Sequence, residues 1–215
     1  MIAKKMSGHK VFITDLDGPI GDCQNTADEL GIGKIYSTCR SNPALLQEKL
    51  NGISNEFYLL SKKLLNGFEI NDGVYETLKD MKGIGYDNFA CTDNPIFAVK
   101  ENGVKYGELF KEKFRDGKLY YLDGVHTTLI PQIKNNKLKL KPNGSKDNFI
   151  RDKFNEYESG VLVVEDENDL ELAKAADEMK RRYDIKILRF GNKCKKLEEY
   201  ADDTIFDFEK ILDYA

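Results

Sequence analysis

Residues 10–22 read KVFITDLDGPIGD: an apolar run, Val11-Phe12-Ile13, leads into Asp15 and Asp17, one residue apart, and then into glycine and proline. The run has the length and composition of a buried strand. Carboxylates this close repel one another, and each loses hydration once it is even partly buried. Turn chemistry asks for one such residue, not two. The pair marks a strand end built for something other than stability.

Working outward, strands and helices alternate. NTADELGIG, residues 25–33, predicts a short helix closed by Gly31. Between 43 and 65, Leu46, Leu50, Ile53, Phe57, Leu60 and Leu64 form one apolar helical stripe, with a break at Asn51-Gly52. The segment NDGVYETLKDMK predicts a helix capped by Asn71 or Asp72. YDNFACTDNP reads as a buried strand ending near Thr92, with helical stretches expected around 95–101 and 107–114. Residues 118–141, with the alternating KLKLK, predict two or three short strands of a hairpin or flap over the sheet edge. A helix is expected from Ser145, and then GVLVVEDENDLELAKAADEMKRR as a strand running into a long helix. IKILRF and DTIF read as strands, KCKKLEEYA and FEKILDYA as helices.

This alternation predicts an α/β fold with a parallel sheet covered by helices on both faces. The helical block 24–79 interrupts it and reads as an inserted cap, which leaves 1–23 and 80–215 as the core. Ligands of such sheets bind beyond the carboxyl ends of the strands, and DLD, TDN and EDEND all fall there.

Composition narrows the class. A chain of 215 residues with 40% hydrophobic residues can bury a substantial core. A net charge of −4 argues against nucleic acid as a partner. No apolar run approaches a membrane span, and the N-terminus lacks the apolar stretch of a secretory signal. The scattered Cys23, Cys39, Cys91 and Cys194, with 2 histidines, exclude a zinc ribbon. These features together predict a reduced, cytoplasmic protein.

Strand-DLDGPI, strand-CTDN, the lysine that opens a helix at GSKDNFI, and strand-EDENDL occur in that order. The series resembles the four-motif signature of the haloacid dehalogenase (HAD) superfamily, and the insertion between the first two motifs is similar to the small helical C1 cap of the phosphoserine phosphatase-like branch. The resemblance implies a HAD-like Rossmannoid core and a phosphatase acting on a small phosphorylated metabolite through an aspartyl-phosphate. Asp15 would be the nucleophile and Asp17 the general acid and base. Gly18 would let the backbone turn away and leave room for phosphate. Thr92 would bind phosphoryl oxygens, and Lys146 would balance their charge, with Lys141 as a competing lysine. Mg²⁺ would be the cofactor, held by Asp15, the backbone carbonyl of Asp17, Glu165 and Asp169.

The fourth motif departs from the family's pattern: Val164 stands where glycine is common, and Glu165 where an aspartate holds the metal. A frame shifted by one residue makes Asp166 the ligand instead. Asp93 is left out of the expected site, because a carboxylate beside a phosphate is unfavourable unless it points away. Arg40 could fork onto a substrate anion, although a solvated surface is the ordinary role for it. Glu29 lies near the place where phosphoserine phosphatases carry a substrate-reading carboxylate. His126 is assigned no catalytic part, and Cys91 reads as a small core residue. Two alternatives stay open: phosphotransfer through the same intermediate, and a catalytically weak scaffold acting as a binding subunit.

Overall fold

The computed structural model describes residues 8–40, 57–98, 100–101, 104–105, 121–134 and 137–215. Strand β1 (Lys10–Asp15) buries the Val11-Phe12-Ile13 run completely. A short β2 (Gly21–Asp22) follows, then helices α1 (Gln24–Glu29), α2 (Gly33–Arg40) and α3 (Phe57–Asn66). The antiparallel partner of β2, β3 (Glu69–Ile70), closes the insertion with a two-stranded ribbon. Gly31 takes a positive φ of 70° just beyond α1, where helices commonly end in the left-handed region.

Helix α4 (Val74–Gly83) leads into β4 (Tyr86–Thr92), a 3₁₀ turn at Pro95–Ala98 and the short β5 (Lys100–Glu101) and β6 (Val104–Lys105). Next come β7 (Gly124–Thr127), β8 (Leu129–Lys134) and β9 (Lys137–Pro142), then α5 (Lys146–Glu156) and β10 (Ser159–Val164). A 3₁₀ turn at Glu167–Asp169, α6 (Leu170–Met179), β11 (Asp184–Phe190) and β12 (Asp203–Ile205) complete the series, with further 3₁₀ turns at Lys195–Glu199 and Phe208–Tyr214.

Six strands form one sheet in the order β12-β11-β10-β1-β4-β7, and every adjacent pair in it is parallel. Parallel strands need crossovers, which place the helices on the faces. Accordingly, two apolar clusters lie on opposite sides of the sheet. One gathers Phe12, Leu78, Met81 and Phe208; the other gathers Val11, Ile13, Phe154 and Leu172. Alternate residues of β1 serve each cluster, as the two-residue period of a strand requires.

Several local expectations are corrected. Neither Asn71 nor Asp72 caps α4, because Gly73 occupies the cap position and no side chain bonds there. Asn71 instead donates to the carbonyls of Gly18 and Pro19, at 2.5 and 3.1 Å, and so braces the loop after β1. Lys100–Glu101 is extended, not helical, paired with Val104–Lys105. Within 118–141, β8 and β9 form the expected hairpin, but β7 joins the main sheet beside β4 as its edge strand. The helices expected at 193–201 and from 208 are 3₁₀ turns. The stripe from 43 to 56 and the stretch 107–114 lie outside the described residues. Helix α4 straddles the expected cap boundary at 79, yet it packs on the sheet through Val74, Leu78 and Met81.

Candidate active site

Because β1 lies between β4 and β10 in parallel register, their carboxyl ends open side by side. Asp15 is level with Cys91, and Thr14 with Val163. The three motifs that follow these strands therefore converge, and helix α5 adds Lys146 from its first turn. Lys146 is buried, and its Nζ lies 2.7 Å from Asp169 Oδ1, 3.2 Å from Asp15 Oδ1 and 3.3 Å from Asp93 Oδ2. Lys141, on the hairpin strand β9, is exposed.

Among the described residues, carboxylates outnumber ammonium groups here. Burial pushes the Asp15 carboxyl well above its ordinary range, and the nearby Asp169, Asp17 and Asp166 add to the effect while Lys146 opposes it. Burial alone would lower the Lys146 ammonium, but Asp15, Asp169 and Asp93 together hold it well above its usual value. One ammonium thus faces more carboxylate than it can neutralise.

Asp169 is completely buried, and both of its oxygens are engaged. Oδ1 takes the Lys146 ammonium, and Oδ2 accepts from the Glu165 backbone N–H at 2.8 Å. In this arrangement it fixes the lysine and the end of β10 together. Glu165 is buried beside it, with Oε1 2.6 Å from Lys193 Nζ. Its other carboxylate oxygen lies over Gly18, where a Cβ would come within 1.9 Å of Oε2. Gly18 also has φ of 113°, so a side chain there meets both strain and a clash. The space at Gly18 is filled by Glu165. Asp166, partly buried, accepts from Asn168 N at 2.8 Å and caps the 3₁₀ turn.

Among the described residues, three donors hold Asp17. Thr92 Oγ1 donates to Oδ2 at 2.7 Å, while Tyr36 Oη and Asn94 Nδ2 donate to Oδ1 at 3.1 and 3.2 Å. Thr92 Oγ1 in turn accepts from Asn94 N at 2.9 Å. The Thr92 hydroxyl therefore orients Asp17 in the structure described here.

Asp93, Asn94, Tyr36, Lys193 and Asn71 were not among the expected site residues. Asp93 does not point away: it bonds Lys146 and accepts from Thr128 Oγ1 at 2.5 Å. Asn94 and Asp93 directly follow the strand that ends in Thr92, and Lys193 follows β11, so position beyond a strand end was the available signal. Tyr36 carried none. Glu29 is exposed on α1, and the side chain of Arg40, the last residue of α2, lies outside the described residues. His126 stacks on Phe149 with centroids 4.6 Å apart. Cys91 is buried, and burial raises its thiol well above the usual range.

The donor set suits a hard cation. Asp15, the carbonyl of Asp17, Glu165 and Asp166 offer only oxygens, and the Asp15 carboxyl, raised first by burial and then by neighbouring acids, is one whose charge a divalent cation would stabilise. Among the described residues no three acidic, histidine or cysteine side chains already form a metal cluster, and Glu165 is turned to Lys193.

No family model and no curated protein matches the sequence. Solved structures do match the fold. A phosphoserine phosphatase in apo form aligns over 96% of this chain and 98% of its own, with TM-score 0.66 and 18% identity. A phospho-aspartyl intermediate analogue of phosphoserine phosphatase aligns over 98% and 99%, with TM-score 0.60 and 19% identity. A HAD hydrolase of Bacillus subtilis bound to magnesium aligns over 98% and 99%, with TM-score 0.59 and 11% identity. The chain resembles all three over nearly its whole length.

Proposed function

From a chain with the fold of the HAD hydrolases, similar to that of the phosphoserine phosphatases, we propose a magnesium-dependent phosphatase that hydrolyses a small phosphorylated metabolite. The observation that carries this reading is the meeting of Asp15, Asp17 and Lys146 at adjacent parallel strand ends, in a buried cluster with excess negative charge. Such a cluster costs stability unless a bound group completes it.

Asp15 attacks phosphorus: a bond forms from its carboxylate oxygen, and the bond from phosphorus to the ester oxygen breaks. The electron pair stays on the ester oxygen, which takes a proton from Asp17. In the second step a water attacks the aspartyl-phosphate, its proton passes to Asp17, and the Asp15 carboxylate leaves. Lys146 balances the charge on nucleophile and phosphoryl group, while Asp169 and Asp93 hold it in place. Asp15, the Asp17 carbonyl and an acid of the 165–166 pair would hold Mg²⁺, which would offset charge on the phosphoryl oxygens. Release of Glu165 from Lys193 would make it the ligand; Asp166 is already close enough to Asp15 to act on its carboxyl.

The insertion carrying α1, α2 and α3 would select the leaving group and exclude water. A capped site of this kind favours a small metabolite over a protein substrate. The test is phosphate release from an aryl phosphate, with and without Mg²⁺, by the wild type and Asp15→Asn. Metal-dependent release that disappears in the variant supports the reading. Release that survives in Asp15→Asn contradicts the nucleophile, and inert wild type across small phosphorylated metabolites contradicts the enzyme.

A further inference from the structure

Asp17 must deliver a proton to one atom, so its carboxyl plane has to be fixed. The groups that fix it come from two parts of the chain. Thr92 and Asn94 belong to the end of β4, whereas Tyr36 is carried by α2 in the segment inserted between β1 and β4. Tyr36 is only 7% exposed, and its Oη lies 3.1 Å from Asp17 Oδ1 while accepting from the Cys23 backbone N–H at 3.4 Å. Its ring belongs to the same apolar cluster as Leu16, Ile20 and Phe57, so the hydroxyl is held in place by packing.

We propose that Tyr36 is a positioning residue for the leaving-group proton, tying the orientation of Asp17 to the seating of the inserted segment on the core. The inference rests on the phosphatase reading and deepens it. When Asp17 gives its proton to the ester oxygen it becomes a carboxylate, and the phenol O–H donates to it as seen here. When Asp17 carries the proton on Oδ2, its Oδ1 still accepts from the phenol O–H, so Tyr36 holds the carboxyl plane without engaging the proton meant for the ester oxygen. Tyr36 therefore serves both halves of the cycle without moving its ring. An inserted segment that is not seated withdraws the phenol and leaves the acid less well aimed.

The experiment compares Tyr36→Phe with the wild type on two esters: an aryl phosphate, whose leaving group needs little protonation, and a primary alkyl phosphate, whose leaving group needs it. The readout is kcat/KM, which covers the steps through cleavage of the ester bond. The inference predicts a loss of about tenfold on the alkyl ester and no more than about twofold on the aryl ester. Equal loss on both esters, or no loss on either, overturns the assignment of Tyr36 while leaving the phosphatase reading intact. A wild type inert on both, and on other small phosphate esters, overturns both. If Tyr36→Phe does not fold, 3-fluorotyrosine at position 36 preserves the shape and alters only the phenol's acidity. A changed ratio of alkyl to aryl kcat/KM then supports the assignment, and an unchanged ratio overturns it.

Discussion

Two ion clusters sit at opposite ends of the same strands, each centred on one lysine, and they are built differently. At the amino ends, Lys82 lies 2.8 Å from Asp87 and 2.6 Å from Asp123, and Tyr157 donates to Asp87 at 2.9 Å. The three charged side chains are a fifth to a third exposed, so water shares the load. Burial is the largest single influence on the Asp87 carboxyl and raises it, but Lys82, Tyr157 and His9 together outweigh it and the net shift is downward. At the carboxyl ends, Lys146, Asp15 and Asp169 are almost wholly buried while Asp93 is about a fifth exposed, and burial wins over the lysine at Asp15. The first cluster is a structural clasp: one lysine faces two carboxylates, and all three are partly solvated. The second sets one lysine against three carboxylates in a drier place, where the cluster stabilises little by itself and suits a phosphoryl group and a cation.

The comparison can be broken by removing each lysine. Lys146→Met leaves Asp15, Asp93 and Asp169 without their cation in a buried site, and is expected to cost about 3–5 kcal/mol by denaturant unfolding and to abolish phosphate release. Lys82→Met removes a more exposed partner, and the acids left behind can be hydrated. Its expected cost is about 1–2 kcal/mol, with release from an aryl phosphate retained. Equal costs for the two would end the distinction between clasp and site.

A smaller effect follows from acid titration. The Asp87 carboxyl is depressed in the folded state, so its stabilisation is present above its ordinary value of 3.8 and is lost as pH falls through the lower folded value. Asp87→Asn should therefore reduce stability by about 1 kcal/mol near neutrality and flatten the fall in stability below pH ~4. A variant whose acid limb matches the wild type's would remove Asp87 from the clasp.

The carboxyl-end cluster was more legible in the sequence than its surroundings. Val11-Phe12-Ile13 and Val161 to Val164 are continuous apolar runs that end in acids, and such runs read as buried parallel strands whose ends face ligand. Lys146 stood out from the other lysines because it opens a helix ahead of the acidic strand. What stayed hidden depends on approach in three dimensions. Tyr36 meets Asp17 only because α2 folds back over the loop after β1, and no periodicity encodes that. Asp93 reads as a repulsive neighbour until α5 brings Lys146 to it. The place of β7 in the sheet was obscured because a four-residue strand next to a hairpin reads as part of the hairpin. The 3₁₀ turns near the C-terminus carry the same apolar spacing as α-helices, and tight packing on the sheet decides between them.

The most direct test of the central claim is the thermal unfolding of the wild type and Asp15→Asn near neutral pH, each with and without Mg²⁺. The Asp15 carboxyl is raised in the folded state, so ionising it costs stability as pH rises through the window between its unfolded and folded values. The neutral, isosteric asparagine should therefore be more stable than the wild type without metal, by about 0.5–2 kcal/mol, and should lose most of the stabilisation that Mg²⁺ gives the wild type. An Asp15→Asn protein that is less stable than the wild type and gains as much from Mg²⁺ would contradict the account.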